Sequence, residues 1–130
     1  MNKALDNSFL EQSFCITMPN NYHNKKFRPV SNSENGETSA ETVFHYQQDG
    51  NILTGEYEGG KINKGLLIGL VDDDGKIELC YSQINEKNEF MTGICVSTPE
   101  ILPNGKIRLH EKWQWTSGDC SEGNSIIDEI

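Results

Sequence analysis

The stretch "RLHEKWQWTSGD", residues 108–119, holds both tryptophans of the chain, a glutamate two positions before the first, and turn residues directly after. In an extended strand, alternate side chains share a face. Ile107, Leu109, Glu111, Trp113 and Trp115 then lie on one face, and Arg108, His110, Lys112 and Gln114 on the other. The apolar and aromatic set must point inward, and it carries the Glu111 carboxylate with it. His110 is expected to face solvent.

Turn chemistry recurs on both sides of this strand: "DG" (49–50), "GG" (59–60), "DDDG" (72–75), "NEKN" (85–88), "PNG" (103–105), "SGD" (117–119) and "EGN" (122–124). Glycine and asparagine supply the positive φ that tight hairpins need. The intervening segments, rich in β-branched and aromatic residues, read as strands at roughly 27–32, 41–48, 51–58, 62–72, 76–84, 89–97, 105–116 and 124–130. Short connections favour sequential antiparallel neighbours. The predicted fold is all-β: a single antiparallel up-and-down meander barrel of about eight strands. Such a barrel is filled by its side chains or holds one small ligand.

The same alternation points Leu53, Gly55 and Tyr57 inward from the third strand, and Ile77, Leu79, Tyr81 and Gln83 from the fifth. In the sixth, Phe90/Ile94 and Met91/Cys95 compete for the inside. The candidate ligand-binding residues are therefore Tyr57, Tyr81, Gln83, Glu111, Trp113 and Trp115. Apolar walls with a few polar groups are the composition of a small-molecule pocket. The fourth strand, "GLLIGLV", is apolar on both faces. One of its faces is left for the N-terminal segment or for a second copy in a homodimer.

At 130 residues the chain suits one domain, with residues 21–130 as the barrel. Residues 1–20 read as an extension, either disordered or a short helix that cannot stand alone, with a domain start near Met18. Residues 32–41, "NSENGETSAE", read as a polar loop, with a lid over the barrel mouth as the alternative. The net charge of −9 disfavours nucleic acid and anionic membranes as partners. Lys25, Lys26 and Arg28 read as a solvated strand entry. No apolar stretch reaches membrane-span or signal-peptide length, so the expected compartment is the cytoplasm.

Cys15, Cys80, Cys95 and Cys120 show no metal-ligand spacing and read as free thiols; no metal or cofactor is expected. A hairpin at 85–88 sets Cys80 opposite about residue 92, leaving Cys95 about three positions out of register. Asp72–Asp74 read as a hairpin turn, because the spaced ligands of a calcium loop are missing.

At "KKFRPVSNSENGETS" (25–39) and "LPNGKIRLHEKWQWTSGD" (102–119), the chain resembles short bacterial proteins that carry the label N-acetylglutamate synthase. The resemblance runs from about Met18 to Ile130. The label implies a mixed α/β fold that seats the coenzyme A pyrophosphate on a helix N-terminus. Residues 25–130 read without a helix, and none follows "EGGKINKG". The residues thus predict no binding of acetyl-coenzyme A, which a calorimetric titration checks.

A second, local resemblance is to avidin and streptavidin. "GNILTGEYE" (50–58) is similar to their second strand, and "IRLHEKWQWTSG" (107–118) to a late strand ending W-x-x-T-S-G. The resemblance implies a biotin-type pocket faced by Tyr57 and Trp113. The other pocket tryptophans of that family have no counterpart in "ELCYSQ" (78–83) or "FMTGIC" (90–95). Three functions stay open on this reading. They are a binding barrel for a small apolar or aromatic ligand, an enzyme using interior Tyr and Glu for acid–base work, and a dimerising module with a filled core.

Overall fold

The computed structural model describes residues 21–130. The strands are β1 (Lys26–Asn32), β2 (Val43–Asp49), β3 (Ile52–Gly59), β4 (Ile62–Val71), β5 (Ile77–Asn85), β6 (Phe90–Ile101), β7 (Ile107–Trp115) and β8 (Glu122–Glu129). Each pairs antiparallel with the next, and β8 returns to β1, closing an eight-stranded meander barrel. The expected fold class is observed, and among the described residues there is no helix. The expectations for residues 1–20 and for Cys15 lie outside the described residues.

Strand boundaries fall within a few residues of those expected, with β6 the largest departure. It continues to Ile101 through Pro99. β5 begins at Ile77, opposite Ser97, so beyond that point β6 pairs with β7 alone. One side of the strand is then free of a ladder, which is where proline, lacking an N–H, is tolerated.

Aromatic rings inside the barrel lie over glycines of the neighbouring strand. Tyr46 pairs with Gly55, Tyr57 with Gly65, Tyr81 with Gly93 and Trp113 with Gly123. A Cβ on Gly65 would come 2.3 Å from the Tyr57 ring, and one on Gly123 equally close to Trp113. The glycines make room for rings that would otherwise overfill a narrow barrel. This pairing also settles β6: Met91, Gly93, Cys95 and Ser97 face inward, while Phe90 and Ile94 are exposed.

The β5–β6 register corrects the expectation for the cysteines. The turn joins Asn85 to Glu89, so Cys80 pairs with Ile94 and Cys95 with Leu79. The shift is two residues, because the turn centres on Lys87. Cys80 points outward and Cys95 inward, and neither forms a disulfide. The turn at 72–75 is a hairpin, with Asp72 Oδ1 accepting from the backbone N–H groups of Asp74 and Lys76.

One end of the barrel is sealed. Tyr22 is fully buried there with Phe27, Leu53, Ile77, Leu109 and Ile127, and its hydroxyl donates to the Gly75 carbonyl at 2.5 Å. Each such side chain contributes roughly 1.5–3 kcal/mol by burial. At the other end β1 and β2 pair only at Lys26–His45 and Phe27–Phe44 and then diverge. The chain between them crosses the mouth. On the outside, Ile52, Leu66, Ile68, Leu70, Ile94 and Val96 of β3, β4 and β6 stand exposed.

Candidate functional site

Side chains from all eight strands meet around a cavity of about 50 Å³ near the barrel mouth. All six residues singled out in the sequence line it: Tyr57 from β3, Tyr81 and Gln83 from β5, and Glu111, Trp113 and Trp115 from β7. Phe44 and Tyr46 of β2, Cys95 of β6 and Ser125 of β8 complete the walls. The Trp113 and Trp115 rings meet edge-on with centroids 5.5 Å apart, and Tyr81 approaches Trp115 at 5.7 Å. Across the barrel Phe44 stacks on Tyr57 at 4.6 Å.

Glu111 lies deep in this wall. Ser97 Oγ donates to its Oε2 at 2.7 Å, and Ser125 Oγ donates to its Oε1 at 3.0 Å. From the sequence, a carboxylate on this face is expected to draw on the inward donors Tyr57, Tyr81 or an indole N–H; the structure gives it two serines instead. The serines hold that place because they are the cross-strand partners of Glu111 on either side. The Tyr57 phenol donates to Gln83 Oε1 at 2.7 Å, and the Trp115 indole N–H donates to the Asn35 carbonyl at 3.0 Å.

Burial pushes the Glu111 carboxyl above its usual range, against the lowering effect of hydrogen bonds from Ser97, Ser125 and Cys95. Part of its surface stays accessible because it lines the cavity. Among the described residues its polar contacts are hydroxyls and a thiol, and the ion pairs, such as Arg108–Asp128 and His110–Glu100, involve other residues. Burial, reinforced by nearby acidic groups, also raises Tyr46, Tyr57, Tyr81 and Cys95. The three phenols and the thiol are thus protonated at neutral pH. His110 is exposed, as expected, and His45 also faces out.

The loop over the mouth is tied down by its own acceptors. Glu37 reaches in to take hydrogen bonds from Gln83 Nε2 at 2.7 Å and Asn85 Nδ2 at 2.8 Å. Asn32 Nδ2 donates to the carbonyl and hydroxyl of Thr38, while Asn32 Oδ1 is buried beside the cavity without a partner. The chain thus combines a closed meander barrel, one sealed end and an aromatic cavity under a loop at the other. It matches the family described as avidin-like protein over residues 20–130.

The chain belongs to the avidin-like protein family. No curated protein and no solved structure matches it. In this avidin-like barrel, Tyr57 and Trp113 both line the cavity. The synthase label finds no support: with no helix among the described residues, no helix N-terminus is present there to seat a pyrophosphate. Sequence reading missed Phe44 and Tyr46, although "VFHYQQ" alternates, and it missed Ser97 and Ser125. The turn at 103–105 could have found Ser97, since 97 and 111 are symmetric about Asn104. Glu37, arriving from a loop, left no periodic signal.

Proposed function

We propose that the barrel binds one small, largely apolar or aromatic ligand at its mouth. Tyr57, Tyr81, Trp113 and Trp115 serve as walls, with Gln83 and Glu111 as polar contacts. The observation that supports this is convergence: four rings and an inward-facing carboxylate meet at one end, while the opposite end is sealed by Tyr22. A cavity of about 50 Å³ holds little more than a water molecule. A ligand pocket needs about 300 Å³ or more, so the loop over the mouth must swing aside for entry. Such a barrel needs no covalent chemistry from Glu111. Its carboxylate takes a hydrogen bond from a ligand donor in an environment poor in water, where that bond is strengthened.

The exposed row Ile52, Leu66, Ile68, Leu70, Ile94 and Val96 supports pairing of two copies through the outer face of β3–β6. Native mass spectrometry of the freshly purified protein reads ligand retention and assembly together. The expected spectrum shows a dimer with one small-molecule adduct per chain, lost in Trp113→Ala. A bare mass, together with no saturable binding of added aromatic compounds, would instead indicate a filled core.

A further inference from the structure

The loop between β1 and β2 places acceptors on three N–H donors at the mouth. Gln83 Nε2 and Asn85 Nδ2 each donate to one oxygen of Glu37, at 2.7 and 2.8 Å. The Trp115 indole donates to the carbonyl of Asn35 at 3.0 Å. Both amide residues are only 3% exposed, so their donors are costly to leave unpaired. The Gln83 amide is oriented from both sides: its Oε1 accepts from the Tyr57 phenol, and its Nε2 faces the acceptor-only carboxylate of Glu37. Asn85 is fixed likewise: its Oδ1 accepts from the backbone N–H groups of Lys87 and Glu89, and its Nδ2 also donates to Glu89 Oε1 at 2.9 Å.

Any ligand that lifts the loop away exposes this set of donors and must satisfy it. We propose that Gln83 and Asn85, with the Trp115 indole beside them, form a carboxylate subsite, and that Glu37 occupies it until a ligand carboxylate takes its place. The inference rests on the ligand-binding reading above and names the chemical class of the ligand: an aromatic or apolar body ending in one carboxylate. Two amide donors set on the two oxygens of one planar group match a carboxylate. A more highly charged phosphate would meet Glu89 and a net charge of −9. Glu37 is half-buried and has no ion-pair partner among the described residues, so desolvation offsets part of the gain from its hydrogen bonds. This makes it a contact suited to exchange.

The test compares benzoate with benzyl alcohol, a neutral compound of similar size, by following the indole N–H resonances of the two tryptophans. Glu37→Ala vacates the subsite and should tighten benzoate at least about ten-fold, the scale of one charge-assisted hydrogen bond, while benzyl alcohol shifts less than about two-fold. Adding Asn85→Asp keeps the acceptor that caps the turn but removes the donor, and should abolish the gain. Glu34→Ala, on the same loop but exposed, controls for charge alone and should change neither compound appreciably. An equal gain from Glu34→Ala would overturn the subsite in favour of bulk electrostatics. Benzyl alcohol binding with no gain for benzoate in Glu37→Ala would overturn the subsite and leave the barrel reading standing. Failure of both compounds in both variants would overturn both.

Discussion

Ser97 and Glu111 face each other across β6 and β7, and the serine hydroxyl donates to the carboxylate at 2.7 Å inside the barrel. With Ser125 on the other side, the carboxylate has two hydroxyl donors and, among the described residues, no ion-pair partner. Burial raises its pKa in the folded chain. A carboxyl whose folded pKa lies above its unfolded value favours the fold while protonated. Stability from this group is then lost as pH rises above the unfolded value and through the folded one. Glu111→Gln keeps the shape and an acceptor but cannot ionise. The difference in melting temperature, variant minus wild type, should therefore grow between pH 4 and pH 8. A difference that stays flat would show that Glu111 carries no burial penalty.

The pairing of rings with glycines predicts where the barrel resists small changes. Gly65→Ala would set a Cβ against the Tyr57 ring and should destabilise by about 1–3 kcal/mol, the usual range for overpacking. In a Tyr57→Ala background the same change should cost much less. A double-mutant cycle by urea denaturation measures this coupling, and additive effects would deny the contact.

The strand count and the inward faces of β3, β5 and β7 were legible because both depend on local signals. "DG", "GG" and "PNG" mark turns, and a period of two sorts side chains between faces. The Glu111 partners needed register, which the flanking turns fix only when their length is read correctly. The same limit misplaced Cys80 against Cys95, where the turn from Asn85 to Glu89 moved the axis to Lys87. Glu37 was beyond reach for another reason. Its contacts with Gln83 and Asn85 span 46 and 48 residues and arise from a loop without periodicity. The polar composition of 32–41 allowed a lid but named no side chain as its latch.

Pairing of copies through the outer face makes its own prediction. Leu66→Lys with Ile68→Lys places two charges among exposed apolar side chains without touching the interior. Light scattering after gel filtration should show the wild type as a dimer and the variant as a monomer, with unchanged far-ultraviolet circular dichroism. A wild type that is monomeric at high micromolar concentration would refute the pairing.

On the proposed function, a small aromatic molecule enters the barrel mouth beside Trp113 and Trp115, the only tryptophans in the chain. A ¹⁵N-resolved screen of small aromatic compounds, following the two indole N–H resonances, tests it most directly. Compounds that bind should shift both resonances saturably at one per chain. The Trp115 signal should move upfield as its hydrogen bond to the Asn35 carbonyl breaks. Both indole signals staying in place across the whole screen, while outward-facing backbone amides respond, would contradict it.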